Sequence, residues 1–302
     1  MNEGINNSGT VGFWRNWGTK RLSESATASP SLDSMLLLAF ALETSKNNLF
    51  VHDSDMVPDS KSGIYKEFIE RRLKGEPVAY ITEQKAFWKH DFYVNHSVLI
   101  PKPDTEILVE KAVQILKQKK QKKELCIADV CTGSGCIAVS VYSELMHFLP
   151  PEEYDIQFFA TDISDKALSV AKKNADSILG SGYKINFLKG DLLEPVLRTG
   201  LQFDLIMSNP PYVPSKIVSE LLQDGRNEPE LALDGGEDGL KLIRQMIPQV
   251  WNALAKNGIL LLETGEYNAD ETRNLLKKRG FVNILTYTDL GGQQRLTIAE
   301  KV

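Results

Sequence analysis

From Leu125 to Glu263, short apolar runs of strand length alternate with segments of helical periodicity, and this alternation constrains the fold more than anything else in the chain. The runs are Leu125–Asp129, Ile156–Thr161, Ile185–Lys189, Phe203–Ser208 and Gly258–Glu263, and helical patterns such as Lys166–Ile178 and Leu240–Ala255 separate them. Strands joined by helical crossovers pair in parallel, with helices on both faces of the sheet. Two further runs, Val282–Thr288 and Arg295–Glu300, have only a turn between them and predict an antiparallel hairpin at the end of the sheet. The expected fold class is therefore α/β, Rossmann-like and doubly wound, with a terminal antiparallel hairpin.

Upstream the pattern is different. Leu32–Leu42 and Ile64–Leu73 repeat apolar residues at helical spacing with no strand between them, which predicts a small helical domain over residues 30–86. Residues 87–103 read as a β-hairpin linker, with Phe92-Tyr93-Val94 and Val98-Leu99-Ile100 on either side of Asn95-His96-Ser97. Pro101 and Pro103 stop it, and Thr105 is placed to cap a helix over Glu106–Lys117. The large domain then spans 104–302. Residues 1–29, rich in Ser, Asn, Gly and Thr, read as a flexible tail, with a transit peptide as the alternative that Glu3 and Glu24 weaken.

Composition narrows the function classes. A net charge of −5 argues against a broad nucleic-acid-binding surface. The longest strongly apolar run, Met35–Leu42, falls far short of the roughly 20 residues that span a bilayer. Cys126, Cys131 and Cys136 do not have zinc-knuckle spacing and are expected to be buried and reduced. The four histidines are dispersed, so no metal site is expected. These features predict a cytoplasmic protein without a membrane anchor. A monomer is the expected state, although none of these features determines it.

Asp129 ends the first parallel strand, and Cys131-Thr132-Gly133-Ser134-Gly135 turns into an apolar helix. Such glycines let a ligand approach the backbone, but a glycine loop alone fits several nucleotide cofactors. The ends of the next two strands are more selective. Asp162, ending the second strand, is placed to accept from both ribose hydroxyls. Asp191, after the third, is placed to accept from an adenine amino group, with Leu192 against the ring. The full dinucleotide fingerprint and the P-loop lysine are both absent. The demand is for adenosine carrying a small amino acid, which is S-adenosyl-L-methionine, and a terminal hairpin on a doubly wound sheet is more typical of class I methyltransferases than of dinucleotide-binding folds.

The fourth strand ends in Asn209-Pro210-Pro211-Tyr212. A planar amide or amino nitrogen is a poor nucleophile, and a catalyst helps it by accepting hydrogen bonds from both N–H groups while aiming the nitrogen at the methyl donor. The Asn209 side-chain oxygen and the Pro210 carbonyl are the candidate acceptors, and Tyr212 is placed to pack on the planar group. The chemistry expected is alignment and electrostatic placement.

Beyond these motifs the chain resembles the release factor glutamine methyltransferase family over residues 30–302. The resemblance rests on Gly75-Glu76-Pro77-Val78-Ala79-Tyr80-Ile81 with Phe87-Trp88, on Leu99-Ile100-Pro101-Lys102-Pro103-Asp104-Thr105-Glu106, and on Glu228-Pro229, Ala232-Leu233 and Gly235-Gly236-Glu237-Asp238-Gly239-Leu240. It implies methylation, from S-adenosyl-L-methionine, of the glutamine in the Gly-Gly-Gln loop of peptide-chain release factors. Cys131–Gly135, Asp162, Asp191 and Leu192 would hold the cofactor, Asn209 would touch both cofactor and substrate, and Pro210, Pro211 and Tyr212 would hold the glutamine. The helical domain would help dock the release factor. Cys131 and Glu83 stand where the family usually has glycine, and Lys102 where it usually has arginine. Glutamine methylation of a ribosomal protein and adenine-N6 methylation of nucleic acid are the alternatives. The chain's own Gly291-Gly292-Gln293 falls at the predicted hairpin turn and reads as turn chemistry.

Overall fold

In the computed structural model, residues 9–25, 27–119, 121–149, 153–223 and 228–302 are described. The chain divides into two compact units, one holding the residues up to Glu83 and a short segment from Leu221, the other holding Gln84–Glu220 and Glu228–Val302.

The smaller unit contains β1 (Gly9–Thr10), α1 (Val11–Ser23), α2 (Pro30–Ala41), α3 (Lys46–Val51), β2 (Met56–Val57), α4 (Asp59–Leu73) and α5 (Val78–Ile81). The tail reading fails over Val11–Ser23. Thr10 caps α1 through its side chain, and Trp14 and Leu22 are fully buried among Leu37, Leu38, Tyr65 and Ile69. The polar composition of residues 1–29 hid this helix, because only its inward stripe is apolar. Close packing also needs Gly18, where a Cβ would lie 1.8 Å from Tyr65 Oη, a hydroxyl hydrogen-bonded to Ser34 at 2.8 Å. Residues 1–8 lie outside the described residues.

The larger unit opens with a hairpin, but not the expected one. β3 (Gln84–Phe87) pairs with β4 (His90–Tyr93), so the turn is Trp88-Lys89 and Val98–Ile100 is not a strand. Trp88 takes φ +54. The first strand is mostly solvent-facing and gave no alternation to read. Phe87 and Phe92 are buried against Leu108 and Val109 of α6 (Glu106–Gln118), so this hairpin is part of the large unit's core and not a linker.

The sheet holds β5 (Glu124–Val130), β6 (Asp155–Asp162), β7 (Ile185–Lys189), β8 (Phe203–Ser208), β9 (Leu254–Glu263), β10 (Val282–Thr288) and β11 (Gln294–Glu300), in the order β10-β11-β9-β8-β5-β6-β7. The strands from β5 to β9 run parallel, and β11 inserts antiparallel between β9 and β10. The remaining helices are α7 (Cys136–Phe148), α8 (Asp165–Leu179), α9 (Glu194–Leu197), α10 (Ser215–Gln223), α11 (Lys241–Ala253) and α12 (Ala269–Arg279).

Period-two alternation divides each strand between two cores. Leu125 and Ile127 of β5 join α6, α7 and α8 on one face, while Cys126, Ala128 and Val130 join α9, α11 and α12 on the other. All three cysteines are free, with Cys126 and Cys136 buried and Cys131 partly exposed. Among the described residues, no helix is long and apolar enough to cross a membrane, and no cluster of three His, Cys, Asp or Glu side chains suits a metal ion. Gly291-Gly292-Gln293 sits in the β10–β11 turn, with Gly292 at φ +82.

Candidate active site

Strand order reverses at β5, which lies between β8 and β6. In open parallel sheets, ligands bind outside the carboxyl ends of the strands at such a switch point. The loops that leave β5, β6, β7 and β8 converge there on one cleft. It is lined by Cys131, Thr132, Gly133 and Ser134 after β5, Asp162 and Ile163 after β6, Asp191 and Leu192 after β7, and Asn209 and Pro211 after β8.

The loop after β5 is built around Asp129, which is fully buried. Its Oδ2 accepts from the Thr132 hydroxyl at 2.6 Å and from the Ala138 amide at 3.2 Å, which ties the strand end to the first turn of α7. Burial pushes the Asp129 carboxyl up to about 7 against those two bonds. Two residues on, Cys131 takes φ +61. That left-handed conformation explains a preference for glycine at this position, and it holds a side chain here at a cost of about 1 kcal/mol. Glu83 is at φ +52, so the second departure also falls where glycine is the unstrained choice. Leu192, at φ +49, is held by its carbonyl accepting from the Thr161 hydroxyl at 2.8 Å. Backbone strain thus recurs at the cleft.

Gly133 takes φ +56, and a Cβ built on it meets nothing within 4 Å, so its backbone faces open cleft. Gly135 does something else. A Cβ there would lie 3.0 Å from Ala171 Cβ and 3.2 Å from Ala171 Cα, so this glycine lets α7 approach α8 and does not line the cleft. Asp162 accepts from the amides of Gly133 and Ser164, each at 2.9 Å, which fixes its carboxylate at the cleft wall. Burial raises its pKa, and the two amides oppose that shift. Each oxygen keeps a lone pair for a further donor. Asp191 is exposed at the rim.

Asn209 follows β8, and its Nδ2 donates to Thr105 Oγ1 at 3.2 Å, so that its Oδ1 is the atom left to face a ligand. Thr105 therefore does not act as the expected cap. It has helical φ and ψ after a 3-10 turn over Pro103–Thr105, and its side chain makes no capping bond. Pro210 is buried and does not line the cleft. Tyr212 also lies behind it, with its hydroxyl donating to Glu263 Oε1 at 3.1 Å and its carbonyl accepting from Asn268 Nδ2 at 2.9 Å. Contact of Tyr212 with a planar substrate group is therefore not formed by the cleft as it stands.

Several site residues escaped sequence reasoning. Glu263 ends β9, is fully buried, and has its carboxyl pushed up to about 7 by burial, against the pull of Thr105, Tyr212 and Arg295. An acid closing a fifth parallel strand was the available signal. Ser97–Lys102 and Pro229–Ala232 form the outer walls. They are tied together by Glu228 Oε1, which accepts from Lys102 Nζ at 2.6 Å and from the Ile100 amide at 3.4 Å. A lysine in place of arginine thus keeps this pairing as a single contact.

Comparison with known proteins gives a consistent result. Residues 14–82 match the PrmC N-terminal domain, and residues 105–227 match the methyltransferase small domain. The release factor glutamine methyltransferase of Coxiella burnetii is 36% identical over 286 residues, which cover 94% of this chain and 97% of that protein. Those of Moorella thermoacetica and Clostridium acetobutylicum are each 35% identical, over 281 and 268 residues, covering 93% and 88% of this chain and 94% and 90% of theirs.

Proposed function

The chain belongs to the release factor glutamine methyltransferase family, and from that membership we propose that it methylates the side-chain amide nitrogen (N5) of the glutamine in the Gly-Gly-Gln motif of peptide-chain release factors, using S-adenosyl-L-methionine. The chemistry of the cleft suits this cofactor. It offers carboxylate acceptors, Asp162 and Asp191, for ribose hydroxyls and an adenine amino group, an apolar wall in Leu192, and open space over Gly133. Its lysine, Lys102, is already paired with Glu228, so the charge balance favours a cationic ligand over a phosphate. When bound, S-adenosyl-L-methionine supplies a methyl group on a positive sulfonium.

The chain's own residues then have to hold a weak nucleophile. Asn209 Oδ1, the acceptor that faces the cleft, accepts from an N–H group of the glutamine amide, which orients its plane and raises electron density on its nitrogen. The Pro210 carbonyl, expected as the second acceptor, lies buried behind the cleft wall as the site stands. Such alignment is worth several kcal/mol, up to about 7–11 in well-oriented systems. Breaking the S–CH3 bond of a sulfonium releases a neutral thioether, so no strong base is required before transfer, and the nitrogen that gains the methyl gives up one proton to water afterwards. Cys131, Thr132, Ser134 and Gly135 shape the loop, Pro211 closes the substrate side, and Tyr212 anchors the segment from behind through Glu263. All of these groups come from one chain, so a monomer is the proposed catalytic unit, and the cytoplasm, where release factors act, its proposed location.

The observation that carries this reading is Asn209 at the cleft with its amide N–H tied to Thr105 and its oxygen free. The test is transfer of radiolabelled methyl from S-adenosyl-L-methionine to purified unmethylated release factor, with a Gln→Ala loop mutant and duplex DNA in parallel. Label is expected on the wild-type factor alone, at the loop glutamine, and Asn209→Ala should abolish it while leaving the fold intact. Label on DNA, or near wild-type transfer by Asn209→Ala, would refute the assignment.

A further inference from the structure

In the loop after β5, Thr132 and Gly133 are held from the neighbouring strand. The Thr132 amide donates to the Thr161 carbonyl at 2.9 Å, and the Gly133 amide donates to Asp162. The peptide unit between Ser134 and Gly135 is held differently. Its N–H donates to the Thr132 carbonyl at 2.8 Å, and its C=O accepts from Asn174 Nδ2, also at 2.8 Å. Gly135 has no Cβ and takes φ +78, so local sterics do little to fix this plane. Asn174 does not line the cleft, so its bond keeps the Ser134 carbonyl turned into the protein.

Asn174 lies on α8, one turn beyond Ala171, the residue that Gly135 approaches, so one face of this helix supports the loop by packing and by hydrogen bonding. Its side chain is enclosed, at 1% exposure, and its oxygen and both N–H groups are used. Oδ1 accepts from the Tyr93 amide at 2.7 Å, while Nδ2 donates to the Tyr93 carbonyl at 3.0 Å as well as to Ser134. These partners fix the sense of the carboxamide, because a half-turn would set Nδ2 against an N–H and Oδ1 against two carbonyls. A carboxylate at this position would lack both donors. Tyr93 ends β4, and the chain runs on from it into Ser97–Lys102, the outer wall of the cleft. One carboxamide therefore fastens both the glycine loop and the root of the outer wall to α8.

We propose that Asn174 is a positioning residue for the cofactor, which fixes the Ser134–Gly135 peptide plane and sets the glycine loop at a defined distance from the outer wall. The inference rests on the reading of this cleft as the S-adenosyl-L-methionine site. Its effect falls on cofactor binding and not on transfer, because Asn209 is held separately by Thr105.

The experiment uses the full-length chain with Asn174→Ala, and with Phe92→Leu as a control that loosens β4 from its fully buried side without touching the bond to Ser134. Should Asn174→Ala not fold, Asn174→Asp carries the same test, since it keeps the side-chain volume and the acceptor for the Tyr93 amide. Calorimetry should show the dissociation constant for S-adenosyl-L-methionine raised roughly 10- to 100-fold in the Asn174 variant, because a buried carbonyl loses its donor and the loop shifts. At saturating cofactor, kcat and the KM for unmethylated release factor should stay close to wild type. In the cofactor-free chain, hydrogen exchange of the Gly135 amide should be faster than in wild type. Phe92→Leu should melt at a lower temperature yet bind the cofactor as wild type does. A folded Asn174 variant with unchanged cofactor affinity would overturn the inference. So would an equal loss of affinity in Phe92→Leu, which is the mark of a merely structural role, or a kcat at saturation that falls in step with affinity. A wild-type chain that binds no S-adenosyl-L-methionine would instead overturn the proposed cofactor, and the positioning role with it.

Discussion

Gly239→Ala should disable catalysis from a position outside the cleft, by displacing the backbone that presents the substrate side of the site. Gly239 takes φ +74, and a Cβ built on it lies 2.2 Å from the Tyr212 carbonyl oxygen and 2.9 Å from Asn268 Nδ2. Real Cβ atoms essentially never come closer than 3.0 Å, so from 2.2 Å the pair must separate by at least 0.8 Å. The carbonyl has little freedom to yield, because it already accepts from Asn268 Nδ2 at 2.9 Å. The movement must therefore pass into the Asn209–Tyr212 segment. A misplacement of about 1 Å at a reacting group costs on the order of 100-fold in rate, and that is the expected fall in kcat. The left-handed conformation adds about 1–2 kcal/mol of strain for alanine, and overpacking typically adds about 1–3 kcal/mol, so the melting temperature should fall while the protein still folds. Cofactor affinity should hold, since Gly239 does not line the cleft. Methyl transfer to release factor, calorimetry with S-adenosyl-L-methionine and thermal unfolding together test this. A folded Gly239→Ala chain with near wild-type kcat would refute the argument that backbone placement of the Asn-Pro-Pro-Tyr segment limits catalysis.

Two further predictions concern the cofactor half and the small unit. Asp162→Ala removes the acceptor assigned to ribose and leaves the Gly133 and Ser164 amides without their shared partner, so the dissociation constant for S-adenosyl-L-methionine should rise about 10- to 100-fold. An unchanged value in equilibrium binding would remove Asp162 from the ribose role. Trp14→Ala empties a fully buried position and should destabilise the small unit by about 3–5 kcal/mol. Limited proteolysis should then cut within residues 9–83 while the large unit still binds cofactor, and equal resistance to cleavage would return α1 to the status of a tail.

The sequence by itself determined the sheet and the glycine loop. Strands β7, β8 and β10 lie at the predicted bounds. Strands β7 and β10 are edge strands, partly exposed, whose limits are set by the turn residues that flank them, while β8 is buried throughout and reads as one continuous apolar run. The polar residues at strand ends were legible for the same reason, since Asp162, Asp191 and Asn209 each come just after an apolar run. Signals failed where a segment's apolar face was narrow. Helix α1 was hidden among small polar residues, and β3 was overlooked because its side chains are mostly exposed, which put the hairpin one strand too late.

Only the tertiary structure decided how the cleft is completed. Thr105 has the right residue type in the right place for a helix cap, and local rules assign it that role. Its actual partner, Asn209, is 104 residues away. Glu228 closes the outer wall by reaching Lys102 across 126 residues, and Glu263 meets Tyr212 across 51. Gly135 and Gly133 look alike in sequence, yet one admits a neighbouring helix and the other opens onto the cleft. Local propensity records what a residue does to its own few neighbours in the chain. The β5-β8-β9 pairing brings distant strand ends side by side, and the partners a polar side chain then meets are fixed by that pairing, which no local rule reports.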